Sequence, residues 1–415
     1  MSQTRPNSSR AFTRRPFLSA SAALLGIATL SACGAPKNNA SQANSSTNPT
    51  PSTSPSPKKF TGTVEVVPVA DTTEYNPTHP VTLTATGGTL NKVNLKNEEG
   101  ESINGEYNAE KTVWTSTENL NFKNKYTISW TAEDPEGGKT SGSSTFSTVS
   151  AAYEADANTN IINEATYGVG MPIEIRFSEP VIDKTAIEKA ITVTTDKEQP
   201  GKFRWYSDQM VRYRPENYWA PNSTVTVNID ILGIDFGQGM IGNGNIKRTF
   251  YTGNKQYALA DNATKLLTMY VNDEQIYQAP ITLGDAEWPS VTGQLVIMEQ
   301  ASKYFFDSAS LGLKKGDPHY YEPFWATNVS RITAGGAFVH QALPSAYPYI
   351  GNTNVSHGCI GLLPADAKYF FDTFRVGDIL ETVNTGYPNA DPDDGYGDWN
   401  IPFEHYDDES YVGNW

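Results

Sequence analysis

Short segments in which apolar and polar residues alternate recur along the chain from about residue 60 to residue 250, and turn residues separate them. A period of two is typical of strands that bury one face, and strands at this spacing favour an antiparallel β-sandwich. We therefore expect a mainly β protein. The clearest of these segments are residues 63–69, 81–85, 126–131, 172–177, 211–214 and 225–229.

The alternating region is long enough for two domains of about 100 residues each. We expect two immunoglobulin-like β-sandwiches, at residues 60–150 and 151–254, with a short helix at residues 184–190 in the second. Neither contains a cysteine, so each core must hold by packing alone. Neither gathers catalytic groups, which leaves two interpretations: a stalk, or modules that bind the cell wall.

The charge balance argues against one class of partner. The 415 residues include 31 Lys and Arg against 46 Asp and Glu, a formal net charge of −15. Proteins that bind nucleic acid neutralise its phosphates with basic residues. We therefore expect no nucleic-acid partner.

The first 33 residues have the pattern of a secretory signal with a lipid attachment site. Four arginines and no acid precede an apolar segment at residues 17–30, which is shorter than the ~20 residues of a membrane-spanning helix. Residues 13–18 resemble a twin-arginine export signal, but an ordinary basic segment would look the same, so the export route stays open. Residues 30–33, LSAC, resemble a bacterial lipobox in which Cys33 receives a diacylglycerol; an incidental cysteine is the alternative.

Residues 34–59 hold almost no large apolar side chain. Such a composition does not offset the entropy lost on ordering, so we expect a disordered tether. Together with the lipid on Cys33, this predicts an exported protein that is lipid-anchored to the outer face of the cell membrane and acts in the cell wall.

The second cysteine stands in the sequence Ser356-His357-Gly358-Cys359, and His340 ends an apolar segment nineteen residues before it. A thiol is a strong nucleophile only as the thiolate, and a neighbouring imidazole can take its proton. A strand–loop–strand would bring His340 and Cys359 together. The alternatives are a buried structural cysteine and a metal site, and no CxxC or HxxxH spacing supports the metal. We expect no metal and no cofactor.

The same motif, with fifteen residues between His340 and Ser356, resembles the signature of the L,D-transpeptidases, which carry a YkuD-type catalytic domain. The resemblance is to the actinobacterial multi-domain lipoproteins, in which immunoglobulin-like domains precede the catalytic one. It implies a β-rich catalytic domain with a short helix at residues 255–385 and a C-terminal extension at residues 386–415 packed on it. The similarity extends beyond the motif to residues 292–298, 365–374, 377–379 and 397–402.

The resemblance also implies roles for individual residues. Cys359 is the expected nucleophile and His340 the general base, oriented by the backbone carbonyl of Gln341. His357 and Gly358 belong to the loop whose backbone N–H groups, with that of Cys359, would form the oxyanion hole.

A lid tyrosine hydroxyl joins that hole in the multi-domain members. Tyr320 is the first candidate here and Tyr321 the second. Ser356 and Trp325 complete the residues expected to contact substrate. Gly361 departs from the family, whose members usually have asparagine or arginine there, and this bears on substrate positioning.

The implied reaction is acyl transfer on peptidoglycan stem peptides, which act as donor and acceptor, with release of D-alanine and formation of a 3→3 cross-link. Carbapenem-type inhibitors are expected to acylate the same cysteine. Three alternatives stay open: an L,D-carboxypeptidase, an enzyme that attaches a wall protein to the stem, and a non-catalytic wall-binding lipoprotein.

The C-terminal extension is rich in acidic residues and contains no lysine or arginine after residue 386. We expect a solvated acidic face, with attraction of a cationic acceptor amine as the alternative. Trp399, Ile401 and Phe403 lie inside this extension and predict that it packs back on the catalytic domain.

Overall fold

The structure is a computed structural model that describes residues 58–317 and 320–415. The predicted signal, Cys33 and the tether as far as residue 57 lie outside the described residues. Lys59, which we assign to the tether, pairs with Lys139, so regular structure includes the end of that segment. None of the described helices combines the length and apolar character needed to cross a membrane.

The first β-sandwich consists of two four-stranded sheets, with strand orders β1-β2-β6-β5 and β4-β3-β7-β8. Because side chains alternate along the strands, one face of each sheet points inward. Leu83, Trp114, Tyr126 and Phe146 belong to the buried core that the two sheets enclose. The strands are β1 Thr63–Val67, β2 Thr82–Thr86, β3 Thr89–Asn97, β4 Ser102–Ile103, β5 Gly105–Tyr107, β6 Val113–Ser116, β7 Lys125–Glu133 and β8 Lys139–Ser147.

The second β-sandwich has sheets of order β10-β12-β15-β14 and β11-β18-β16-β13, and a separate pair β9–β17. The predicted helix is confirmed as α1, Lys184–Ala190, which the Asp183 side chain caps and which buries Ile187. The strands are β9 Glu154–Ala155, β10 Ala157–Thr159, β11 Thr166–Tyr167, β12 Ile173–Phe177, β13 Ile191–Thr195, β14 Gly201–Ser207, β15 Met210–Pro215, β16 Thr224–Asp230, β17 Ile241–Gly242 and β18 Asn245–Thr252.

One nine-stranded sheet follows, in the order β22-β27-β19-β20-β21-β26-β25-β24-β23. The second helix, α2 (Pro364–Thr373), begins with proline at its first turn and buries Ala367 and Phe370. The strands are β19 Gln256–Asp261, β20 Leu266–Val271, β21 Glu274–Thr282, β22 Gly293–Val296, β23 Glu299–Phe306, β24 Phe324–Arg331, β25 Phe338–Gln341, β26 Ile360–Leu362 and β27 Ile379–Val383.

The second sandwich and the nine-stranded sheet share a core. Val296 of β22 and Ile379 of β27 belong to the buried cluster of the sandwich. The backbone N–H of Gly168 donates to the carbonyl of Val376 at 2.9 Å. A Cβ on Gly168 would lie 2.1 Å from the nitrogen of Asp378, so only glycine permits this approach.

The C-terminal extension packs against the second sandwich as well as the catalytic sheet, which differs from our expectation. Trp399 donates its indole N–H to the carbonyl of Gly170 at 2.8 Å. On the other side, the Asn400 side chain accepts from the Gln294 N–H at 2.7 Å and donates to its carbonyl at 2.9 Å. The extension thereby covers the β22 edge of the large sheet.

Most acidic residues of the extension are exposed, as expected, but Asp398 is an exception. Asp398 is fully buried, and its carboxylate accepts hydrogen bonds from the hydroxyls of Tyr206 and Tyr406, both at 2.7 Å. The Arg212 guanidinium lies 3.2 Å from the same carboxylate. A buried charge needs such partners. Asp398 therefore holds the extension against the second sandwich, to which Tyr206 and Arg212 belong.

Candidate active site

The predicted strand–loop–strand brings the predicted nucleophile and base to neighbouring strands. Strands β25 and β26 are parallel, with Val339 opposite Ile360 and His340 opposite Gly361. Cys359 directly precedes β26. Cys359 thus lies at the start of the strand next to His340, two residues before Gly361, the partner of His340.

The backbone fixes the His340 ring. Its Nδ1 lies 2.7 Å from the carbonyl oxygen of Gln341. Because a carbonyl only accepts, Nδ1 carries the proton in this contact and Nε2 keeps its lone pair. Burial lowers the pKa of His340, so the imidazole is neutral at physiological pH. A neutral, oriented imidazole is suited to act as a base.

Cys359 packs against the apolar cluster that includes Ala326, Phe338 and Phe324. Burial raises the pKa of the Cys359 thiol to about 11, while the backbone of Phe338 acts in the opposite direction. The thiol therefore keeps its proton at neutral pH. The geometry supplies a neutral thiol beside a neutral imidazole, and the proton must move as the sulfur attacks.

The loop before the nucleophile is held by two serine hydroxyls. Ser356 Oγ donates to the carbonyl of Cys359 at 2.6 Å. Ser290 Oγ donates to the carbonyl of Gly358 at 2.9 Å. Gly358 itself has φ of 106°, a backbone conformation that favours glycine. Ser356 thus supports the loop through the backbone.

His357 lies between two aromatic rings. Its ring centroid is 5.5 Å from that of Tyr321 and 5.9 Å from that of Trp288. Sequence reasoning missed Trp288 and Ser290. The only available signal was their position just before Thr292, where the resemblance to the family begins.

Of the two candidate lid tyrosines, the structure places Tyr321 at the site. Burial and the charge that Cys359 would carry as a thiolate raise the pKa of Tyr321 to about 12, so its hydroxyl keeps its proton and can donate. The hydroxyl of Tyr320 instead donates to Glu322 at 3.1 Å. We therefore take Tyr321, and not Tyr320, as the candidate lid tyrosine.

Trp325 is not brought to the catalytic face. It follows Phe324 and precedes Ala326 on β24, and both of these neighbours pack with Cys359. Because side chains alternate along a strand, Trp325 points to the other face. Its side chain stays 57% exposed, and its ring lies 5.2 Å from that of Phe305.

Gly361 occupies a buried strand position. A Cβ there would lie 2.9 Å from Cγ2 of Thr282 and 3.3 Å from Cβ of Ala342. The glycine therefore permits close packing between strands, which is a local reason for the departure from the family pattern.

The described residues contain no group of three or more His, Cys, Asp or Glu side chains placed to hold a metal ion. The groups that meet at this site are the Cys359 thiol, the His340 imidazole and hydrogen-bond donors of the neighbouring loops.

Comparisons with known proteins agree with this architecture. A family model described as the L,D-transpeptidase catalytic domain, YkuD, matches residues 255–384. A model described as a bacterial Ig domain matches residues 72–235, across both sandwiches. These matches define the protein as one with immunoglobulin-like structure followed by a YkuD-type catalytic domain.

L,D-transpeptidase 2 of Mycobacterium tuberculosis is 36% identical over 329 residues, which cover 79% of each protein. L,D-transpeptidase 1 of the same organism is 32% identical over 231 residues, 55% of this chain and 84% of the relative. A solved structure of an LD transpeptidase in complex with imipenem is 30% identical, with a TM-score of 0.48, and covers 55% of this chain and 97% of that one. The chain belongs to the L,D-transpeptidase family, which confirms the resemblance in its YkuD-type catalytic domain and immunoglobulin-like structure. The lipoprotein type stays a prediction.

Proposed function

We propose that the protein is a cysteine-dependent L,D-transpeptidase that forms 3→3 cross-links between peptidoglycan stem peptides. The observation that carries the proposal is the placement of His340 on β25 and of Cys359 immediately before the adjacent parallel strand β26, with the His340 Nδ1 2.7 Å from the Gln341 carbonyl oxygen. This orientation leaves Nε2 available to receive the thiol proton.

In the acylation half, Cys359 Sγ attacks the carbonyl carbon that joins the third residue of a tetrapeptide stem to its terminal D-alanine. His340 takes the thiol proton as the carbon–sulfur bond forms. The backbone N–H of Cys359 and the Tyr321 hydroxyl stabilise the oxyanion. When the C–N bond breaks, His340 returns the proton to the amine of D-alanine, which leaves a thioester.

In the second half, the side-chain amine of the third residue of another stem attacks the thioester. His340 accepts a proton from this amine, and the new amide forms as the C–S bond breaks and the proton returns to sulfur. A carbapenem would acylate Cys359 by the same first steps. Its leaving nitrogen stays tethered to the acyl group, so the reaction stops at the acyl-enzyme.

The proposed location follows from the N-terminal residues alone. The basic segment, the short apolar segment and Cys33 predict export and lipid attachment at the outer face of the cell membrane. Residues 34–57 would then let the folded domains act in the wall.

Intact-mass spectrometry of residues 58–415 with a carbapenem tests the acyl-enzyme. We expect one covalent adduct on wild type, no adduct on Cys359→Ala, and a strongly slowed adduct on His340→Ala. His405→Ala, which removes a histidine of the C-terminal extension, is the matched control. A folded wild-type protein without an adduct contradicts the proposal.

Incubation with a disaccharide-tetrapeptide tests the acceptor. A cross-linked dimer and free D-alanine are the expected products. A tripeptide without dimer would instead identify hydrolysis.

A further inference from the structure

We infer that Ser290 is a positioning residue for the oxyanion hole, acting through the peptide group between Gly358 and Cys359. The inference rests on the proposed cysteine acyl-enzyme and adds a residue that the sequence motif does not contain. Ser290 and Gly358 are 68 residues apart along the chain, yet the Ser290 hydroxyl reaches the Gly358 carbonyl in the fold.

The Ser290 hydroxyl is buried and uses both its donor and its acceptor capacity. The side chain is 2% exposed. Its Oγ accepts from the N–H of Gly284 at 2.9 Å and donates to the carbonyl of Gly358 at 2.9 Å. The N–H of Asp285 donates to the carbonyl of Ser356 at 2.9 Å. The loop before β22 is thus fastened to the nucleophile loop at two points.

Peptide geometry turns this contact into a constraint on Cys359. In a trans peptide the C=O and the following N–H point in opposite directions. When Ser290 holds the carbonyl of Gly358, the N–H of Cys359 points away from Ser290. Rotation of this peptide changes ψ of Gly358, and a glycine, which has no Cβ, permits a wide range of ψ. The hydrogen bond therefore selects one orientation.

The orientation matters because one edge of a peptide group carries the N–H donor and the opposite edge carries the C=O acceptor. An N–H directed at the reacting carbonyl stabilises the oxyanion, whereas a rotated peptide would present an oxygen to it. Ser356 holds the next peptide in the same way, through the carbonyl of Cys359 at 2.6 Å. The two serines thus fix the peptide groups on both sides of the nucleophile.

Two reactions of Cys359 separate positioning from general structure. Carbapenem acylation passes through an oxyanion, whereas alkylation by iodoacetamide displaces iodide and forms none. For Ser290→Ala we expect acylation to slow by about 10- to 100-fold, since one oxyanion donor is worth about 10²–10³ in rate. Alkylation measured at the same pH should change less than about twofold, because the thiol and His340 are untouched.

The matched variants isolate the hydroxyl. Ser290→Thr keeps it and should restore acylation, while Ser290→Val has the shape of threonine without the hydroxyl and should not. If Ser290→Ala fails to fold, the comparison of Ser290→Thr with Ser290→Val still tests the inference. Ser223→Ala removes another buried serine hydroxyl, in the second sandwich, and should leave both rates unchanged.

Equal loss of both rates in Ser290→Ala, or no loss of acylation, overturns the inference. A wild-type protein that forms no adduct contradicts the proposed acyl-enzyme itself, so the two failures are distinguishable.

Discussion

The two sandwiches differ in how they join the rest of the protein. The first has a closed core of its own, and polar contacts link it to the second. The Asn76 side chain donates to the carbonyl of Gly233 at 2.7 Å, and Lys123 lies 3.0 Å from Glu154. The Lys123 side chain is 57% exposed, so water screens that pair.

The second sandwich is continuous with the catalytic sheet. Its core includes Val296 and Ile379 of that sheet. Arg212 lies 2.8 Å from Glu174 and 3.2 Å from Asp398 of the C-terminal extension, and all three are buried. We infer that the second sandwich is part of the catalytic unit, whereas the first is a separate module.

The largest expected effect comes from Arg212→Met. The change leaves the buried Asp398 carboxylate without its ion-pair partner and Glu174 with Arg176 alone, and breaking a buried pair typically costs about 3–5 kcal/mol. We expect a large fall in the free energy of unfolding, measured by denaturant titration. Carbapenem acylation should be lost at the denaturant concentration at which the variant unfolds.

Lys123→Met is the matched change at the first junction. It should cost less than about 1 kcal/mol, because an exposed ion pair contributes little. Equal losses for the two variants would contradict the distinction between the junctions.

The next effect depends on pH and concerns Asp378, which is fully buried beside Gly168 at the second junction. Burial raises the pKa of Asp378 to about 8. The folded state then holds a proton that the unfolded state releases, so this group's stabilisation is complete below pH 4 and falls as pH rises to about 8. In denaturant titrations from pH 5 to 9, Asp378→Asn should gain stability relative to wild type up to about pH 8, by at most about 1.4 kcal/mol per pH unit.

Asp134 in the first sandwich gives the opposite case. The N–H groups of Thr61 and Gly138 hold the pKa of this carboxyl below its usual value. Asp134→Asn should therefore be less stable than wild type by an amount that does not vary from pH 5 to 9. A constant difference for Asp378→Asn over the same range would show that Asp378 does not titrate as expected.

The sequence predicted that His340 and Cys359 lie close together, because the information needed for this is local. His340 lies near the end of one strand and Cys359 directly precedes the next, and the spacing between them is that of a strand–loop–strand. The alternation also predicted the mainly β fold. The sequence could not predict which of Tyr320 and Tyr321 points to the site. Both lie in a loop, and a loop has no periodic pattern from which side-chain directions can be predicted.

Contacts between distant residues set the remaining limits. The segment at residues 211–214 predicts a half-buried strand, yet all of β15 is buried, including Arg212 and Arg214. Their partners lie in the extension, where the Ile401 carbonyl accepts from Arg214 at 2.6 Å. No local pattern marks an arginine as buried when its partner is 187 residues away. Ser290 was missed for the same reason, because its partner Gly358 is 68 residues away in the sequence.

The smallest effect is expected from removing the first sandwich. Residues 150–415 keep the second sandwich, the catalytic sheet and the extension, and lose the Asn76 contact and the Lys123 pair. We expect carbapenem acylation of Cys359 within about twofold of the rate for residues 58–415, because none of the site's described contacts comes from the first sandwich. Residues 255–415, which also lack the second sandwich, should fail to fold, since Val296 and Ile379 would lose their core. An active 255–415 fragment, or an inactive 150–415 fragment, would reverse the assignment of the two sandwiches.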